Sequence, residues 1–385
     1  MAPPPVRRAL RKDAVASHFD YKKVKPIVLN ETGRPIPTSS TMAPNIRSIS
    51  WSPTGAMVAH NVHNNIRVWN PERPDVKATT ALQDGPKPGA HGNTIEKLAF
   101  SPRMESLLAS TGQDGLVKFW DVRVPGGATS LVGSSGYSSA KGHTQGKSGE
   151  YKTGEQTLFL TWHPNGTELL VGTRNDVITA LDVRKADVPM VLEPNAPAAS
   201  NLPKYDATPT DRSPTKDKGA FYQMSFTNAG SHILAATTEG PVKVLSYPSM
   251  QPVHNLVAHS GSTYSVQQSP TGNHIAVGGT DGLITLWNTD TWLVDHTLME
   301  AAGAVRDLSF SYDGAYLTAG GGPDPLKDNE KGLSIWHVET GEEVVKLDTT
   351  NAVTWVAWHP LRHAVAYSGD PGGLKIVGGL SGGYS

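Results

Sequence analysis

Ile95-Glu96-Lys97-Leu98-Ala99-Phe100-Ser101-Pro102, followed by Leu107-Leu108-Ala109-Ser110 and by Asp114-Gly115-Leu116-Val117-Lys118-Phe119-Trp120, decides the fold of this 385-residue chain. The first segment alternates as a strand, Ser101-Pro102 turns it, the second segment returns, and Asp114-Gly115 turns again into a third strand ending at Trp120. Thr263 to Gln268, Ser269-Pro270-Thr271-Gly272, His274 to Gly278, Asp281-Gly282 and Leu283 to Trp287 repeat this position for position. A similar turn recurs at Pro53, Pro102, Pro164, Asn228, Pro270, Tyr312 and Pro360. After most of these turns comes one fixed slot, held by Trp69, Trp120, Leu181, Leu245, Trp287, Trp336 and Val377. The shortest slot-to-slot spacings are 41 and 42 residues, the length of a four-stranded propeller blade.

Seven in-phase repeats predict one all-β ring in place of two or three ordinary domains. The expected organisation is a seven-bladed WD-repeat β-propeller over residues 34–380, behind a basic, largely disordered tail at 1–33. Only eight residues follow Val377, too few to complete the seventh blade, so an N-terminal strand is expected to close it. Matching Arg34-Pro35-Ile36 with Gln251-Pro252-Val253 puts that strand near residues 34–40, with Pro26 to Asn30 as the alternative. Excess spacing marks insertions at 125–156, rich in Gly and Ser, at 185–219, with six prolines, and at 321–331 inside blade six.

The chain has no cysteine, which excludes disulfides and thiolate metal sites and fits a reducing compartment. No apolar run follows the N-terminal charges and no segment approaches the length of a membrane span, so the expectation is a soluble, unsecreted protein. The net charge of −1 hides an asymmetry. Arg7, Arg8, Arg11, Lys12, Lys22, Lys23 and Lys25 face only Asp13 and Asp20 in the first 25 residues, leaving the remainder at about −6. Any nucleic-acid contact is therefore expected in the tail. The tail reads equally as a solvated arm and as an RNA-contacting or nuclear-import segment.

His91, Asp114 and Trp120 recur as His259, Asp281 and Trp287, with Asp six residues before Trp in both sets. In WD-repeat blades these types, together with a strand hydroxyl such as Ser110, form a buried hydrogen-bond chain from His to Asp to hydroxyl to indole, in which each polar group has a partner. The same types would suit nucleophilic catalysis, but a set duplicated in two blades is what a repeat produces and an active site does not. His60 with His63, and His359 with His363, lack the cysteine or intervening Glu of known metal patterns. They are read as turn residues. Trp51, Phe100, Trp162, Phe226, Phe310 and Trp358 end the first strands and are read as packing between blades, not as a platform for bases. Trp292 has two open readings, a surface anchor or an outer-strand packing residue. Thr208 and Ser213, each before a proline, are weak phosphorylation candidates. No phosphate-binding loop, carboxylate pair or nucleophile elbow stands out, so no catalytic residue, cofactor, metal or small-molecule substrate is assigned.

Over about residues 45–377 the chain resembles the WD-repeat subunit of the THO complex, the core of the TREX assembly that couples transcription to messenger RNA export. The resemblance is carried by Asn175-Asp176-Val177-Ile178-Thr179, by Leu245-Ser246-Tyr247-Pro248, where other blades have Trp-Asp, by Val305-Arg306-Asp307-Leu308-Ser309-Phe310-Ser311, and by Val353-Thr354-Trp355-Val356-Ala357-Trp358-His359-Pro360. It implies a non-catalytic nuclear scaffold docked on the large helical THO subunit, within a complex that engages ribonucleoprotein and helps recruit a DEAD-box ATPase and export factors. Trp120-Asp121-Val122-Arg123 also fits a motif of ubiquitin-ligase substrate receptors, which keeps open an adaptor of another nuclear complex, whether such a receptor or a chromatin-complex subunit.

Overall fold

The computed structural model describes residues 10–20, 25–29, 45–73, 80–82, 89–123, 150–184, 190–192, 221–299, 303–321 and 331–379. Their strands form seven antiparallel sheets of four. Blade one is Ile49–Trp51, Val58–Val62, Asn65–Trp69 and Thr80–Leu82; blade two is Ile95–Phe100, Leu107–Gly112, Leu116–Asp121 and Glu150–Lys152. Blade three is Thr157–Trp162, Glu168–Thr173, Ile178–Asp182 and Met190–Leu192; blade four is Phe221–Phe226, His232–Thr237, Val242–Ser246 and Pro252–Leu256. Blade five is Thr263–Gln268, His274–Gly279, Leu283–Asn288 and Val294–Met299; blade six is Val305–Phe310, Tyr316–Gly321, Leu333–His337 and Glu343–Leu347. Blade seven takes Val356–Trp358, Ala364–Tyr367 and Leu374–Gly378 from one end of the chain and Ile27–Leu29 from the other.

The first strand of each blade packs on the first strands of both neighbours, and blade one meets blade seven, so the sheets close into a ring around a central channel. A first strand has an unpaired inner edge, and side chains of the preceding blade satisfy part of it. Ser48 and Ser50 accept hydrogen bonds from the amides of Leu98 and Phe100 at 3.1 and 3.0 Å. Gln223 accepts from Val266 N at 3.2 Å, Asp307 from Val356 N at 3.1 Å and Ser309 from Trp358 N at 2.9 Å. Apolar residues fill the space between sheets. One cluster joins Ile66, Ile95, Leu98, Phe100, Leu108 and Trp120 across blades one and two, and others repeat this around the ring.

The N-terminal segment departs from the expected tail. Ile27, Val28 and Leu29 pair with Ile376, Lys375 and Leu374, so the closing strand lies in the alternative segment and not at 34–40. Leu29 is 1% exposed within the core of blades seven and one, and this buried position decides the register. Residues 30–44 lie outside the described residues, although Pro35 and Pro37 could not have donated to a ladder. A short helix, Lys12–His18, stands where disorder was expected and brings Val15 and Phe19, at 0% and 1% exposed, against Tyr316, Val345, Leu347 and Trp358. Tyr316 donates its hydroxyl to the Leu10 carbonyl at 2.7 Å, and His18 reaches the His363 carbonyl at 2.7 Å. Helix and strand therefore tie blades six and seven together.

Two expected insertions also contain structure. Glu150–Lys152, inside 125–156, is the outer strand of blade two, and Met190–Leu192, inside 185–219, is that of blade three. Three-residue strands carry too little alternation to be read from sequence. Of 321–331, Gly321 ends a strand and Lys331 is exposed, and the rest lies outside the described residues.

Replacing Phe19 by Ala removes the ring that meets Trp358 edge-on at 5.8 Å and is expected to destabilise the protein by about 3–5 kcal/mol. A thermal melt of the full chain checks this, and an unchanged midpoint would mean the helix is not docked.

Candidate functional site

The structure brings His91, Ser110, Asp114 and Trp120 together, but with the imidazole and not the carboxylate next to the hydroxyl, because a carboxylate only accepts while an imidazole can donate to it on one side and accept from the hydroxyl on the other. The Nδ1 of His91 lies 3.0 Å from both Asp114 oxygens, which can only accept, so this nitrogen donates. Its Nε2 then accepts from Ser110 Oγ at 2.7 Å, and Ser110 Oγ accepts from the Trp120 indole at 2.8 Å. In blade five His259 lies 3.1 and 3.2 Å from the Asp281 oxygens, and the hydroxyl between His259 and Trp287 is Thr285, at 3.0 and 2.9 Å. Sequence comparison missed Thr285 because it sits on the third strand, whereas Ser110 sits on the second. The two are nonetheless equivalent in space. Ser110 pairs with Lys118 and Val277 with Thr285, so the hydroxyl has crossed to the facing member of the same cross-strand pair.

Other blades use substitutes. In blade one His60 is not the turn residue expected but lies on the strand Val58–Val62, where it takes the hydroxyl's place and accepts the Trp69 indole N–H at 2.9 Å. In blade seven the residue six before Val377 is Pro371, and its neighbour Asp370 serves in its place, accepting from the Thr350 and Asn351 amides at 2.7 and 2.9 Å and from Lys375 at 2.7 Å. The Leu-Ser-Tyr-Pro departure in blade four contains a cis Tyr247-Pro248 bond. Tyr247 donates to Glu168 of blade three at 2.6 Å and meets Phe226 edge-on at 5.0 Å, so this signature joins two blades. Burial, then Glu168, pushes the Tyr247 hydroxyl well up from its ordinary value.

His163 and His359 belong to the duplicated Trp-His-Pro turns, and each ring lies over the turn glycine of the next blade. A Cβ on Gly55 would fall 2.1 Å from His359, and one on Gly230 2.4 Å from His163. Both glycines have φ of +75°, which also favours glycine. His363 bonds Asp313 of blade six at 2.9 Å. Among the described residues no group of three or more His, Asp or Glu side chains has metal-binding geometry. Trp51, Phe100, Trp162, Phe226, Phe310 and Trp358 are all buried. Trp292 packs partly buried against the core of blades four and five and lies 5.0 Å from His254.

Of the seven basic tail residues, Arg7, Arg8, Lys22 and Lys23 lie outside the described residues, as do Thr208 and Ser213. Arg11 and Lys25 are exposed, while Lys12 is held by Glu342 and Thr340. Arg123 folds back onto Asp121 at 2.9 Å, and Arg184 does the same to Asp182 at 3.0 Å in Leu181-Asp182-Val183-Arg184. The Trp-Asp-x-Arg geometry of blade two is thus repeated in blade three.

A further group of residues surrounds the channel mouth. The first strands of blades two to six each have a β-bulge near their start, which adds Glu96, Leu158, Tyr222, Tyr264 and Arg306. A bulge re-aims the side chain of its extra residue. Each lies four residues before its strand's last residue, and the same count gives Arg47 and Thr354 in blades one and seven. Because Ile95 pairs with Gly112, these positions lie on the face that carries the turns between second and third strands. Arg47 Nη1 is 2.6 and 2.7 Å from the two Glu96 oxygens. Lys97 reaches across the channel to Asp307 at 3.9 Å and lies 5.0 Å from the Trp355 ring centre. Burial pushes the Asp307 carboxyl up, with Lys97 opposing it. Tyr222 and Tyr264 meet edge-to-face at 4.6 Å, and the Arg306 guanidinium lies 5.3 Å from the Tyr264 ring centre. Counting back four residues from the six strand-ending aromatics, and from Gln268 in blade five, would have located this ring of positions in the sequence.

The WD domain, G-beta repeat family matches residues 87–121 and 250–288, which hold the two complete His-Asp-hydroxyl-Trp sets apart from Ser110's counterpart Thr285 having changed strand. "THO complex subunit 3" of Arabidopsis thaliana is 27% identical over 217 residues, 56% of this chain and 54% of that protein, and agrees with the resemblance seen in the sequence. "WD repeat-containing protein AAC3" of Dictyostelium discoideum is 25% identical over 157 residues, 35% of this chain and 27% of that protein. The chain therefore covers about half, or less, of the length of these relatives. Among solved structures, the Myceliophteria_thermophila Cps50 (Swd1) beta-propeller domain superposes with a TM-score of 0.66 at 18% identity, covering 88% of this chain and 98% of that one. At that identity the likeness is one of fold. The chain is a seven-bladed propeller with WD40 repeats.

Burial alone would push Asp114 up, but the hydrogen bond from His91 and the amides of Gly92 and Leu116 outweigh it and hold the carboxyl below its ordinary value. Asp281 is lowered in the same way through His259, Leu283 and Ser260. A depressed folded value means the stabilisation is complete above about pH 4 and is lost as pH falls through the folded value. Asp114→Asn is expected to lower the melting temperature at neutral pH and to flatten its fall in acid, while His91→Ala costs about 2–3 kcal/mol. Thermal melts across a pH series check both.

Proposed function

We propose that this chain is a non-catalytic interaction scaffold of a THO-type nuclear assembly, acting in transcription-coupled ribonucleoprotein formation and messenger RNA export. The observation that carries this reading is the 27% identity to THO complex subunit 3 over 56% of the chain. The absence of a catalytic role is supported by the commitment of the His-Asp pairs to buried hydroxyl and indole partners. A Ser or Thr whose oxygen is already bonded to both an imidazole and an indole, at 0% and 2% exposure, has no open side for a substrate.

The docking side is assigned to the outer edge of blades four and five. Val253, Val257, Leu293 and Met299 are 53%, 65%, 66% and 75% exposed there, with Val294 beside them. Outer strands are sheet edges, and apolar side chains gathered on an edge mark a surface that a macromolecule covers. In THO-type assembly that macromolecule is the large helical subunit.

Affinity purification of the tagged full chain from nuclear extract tests the reading. Wild type is expected to recover a large helical THO subunit, and Val257→Glu with Leu293→Glu to lose it without a change in melting temperature. Recovery of a ubiquitin-ligase adaptor or a chromatin complex in its place would overturn it.

A further inference from the structure

We propose that the channel mouth at blades four to six binds an acidic side chain of a partner peptide, with Arg306 as its anchor and Tyr222 as the wall beside it. Arg306 is exposed, and its position on a bulge frees it from the strand's alternation. Its guanidinium lies over Tyr264. A cation–π contact uses none of the guanidinium's N–H donors, so the fork that matches a carboxylate stays available to a ligand. Tyr222, 38% exposed, braces Tyr264 edge-to-face and adds an apolar surface with a hydroxyl at its tip.

What the site lacks points to its ligand. Among the described residues no carboxylate pairs with Arg306. The next residue, Asp307, is turned away into the channel, where Lys97 and the Val356 amide hold it. At the equivalent position in blade one, Arg47 carries both oxygens of Glu96. One mouth arginine is thus satisfied by a carboxylate and the other presents the same group without one. Leu158, at the same position in blade three, extends the wall with an apolar side chain. An acidic residue with an apolar neighbour is the fitting ligand.

Nucleic acid fits less well. Backbone tracking needs a run of uncompensated cations, whereas here Lys97 faces Asp307 and Arg47 faces Glu96. Of the cations named at these first-strand positions, that leaves the Arg306 fork, which suits one carboxylate.

The site goes beyond the THO-type reading and is tested on the isolated full chain, so either can fail alone. A random peptide library is panned against it, and enriched peptides are synthesised with Asp or Glu and with the amide counterpart. Binding by fluorescence anisotropy is expected to fall at least roughly tenfold for the amide peptide and for Arg306→Gln, and to weaken for Tyr222→Ala. Val257→Glu with Leu293→Glu should bind as wild type, and Arg306→Gln should melt as wild type. Enrichment without acidic residues, undiminished binding to Arg306→Gln, or displacement of the peptide by oligouridine would each overturn the proposal.

Discussion

Three residues at one end of the chain, Ile27, Val28 and Leu29, pair with Leu374, Lys375 and Ile376 at the other, and the rest of the propeller relies on that pairing. Six sheets are built from neighbouring sequence and would form a curved row with two open edges. The seventh sheet turns the row into a ring, because its inner strand then packs on blade one while its outer strand comes from beyond blade one in sequence. Burial of Leu29 supplies the driving force and fixes the register, because a slip of one residue would turn that side chain out of the core. The helix reinforces the joint from outside by covering Trp358 with Phe19 and anchoring Tyr316 to Leu10.

Between blades the coupling is made of small, repeated contacts. A serine, glutamine or aspartate on one first strand caps an amide on the next, and a turn histidine lies over the glycine of the following turn. Such contacts join nearest neighbours only, which is how repeat proteins distribute stability. The Lys97–Asp307 pair is of another kind, since it spans the channel between blades two and six, which are not neighbours in the ring.

What was legible followed from local chemistry. Ser-Pro and Asp-Gly turns and long alternating strands declare blades two and five, and Asp six residues before Trp declares their buried networks. Three-residue strands do not declare themselves, because so short a segment has no period; Ile27–Leu29, Glu150–Lys152 and Met190–Leu192 were accordingly misplaced or folded into insertions. Thr285 and Asp370 escaped for a different reason. A side chain needed at one point in space can be supplied from the facing strand or from one residue away, and a positional comparison sees neither. The docked helix was hidden by its charge, since Arg11 and Lys12 flank only two buried apolar residues, Val15 and Phe19.

The bulges at the starts of five first strands have an evolutionary consequence. An extra residue outside the ladder contributes little to register or core, so it can be exchanged without refolding the blade. Here those positions hold Glu, Leu, Tyr, Tyr and Arg, each at the same register shift of its strand. A duplicated blade thereby inherits one adjustable letter at the channel rim, and a ring of such letters can be respelled for a new ligand while the architecture beneath is left alone.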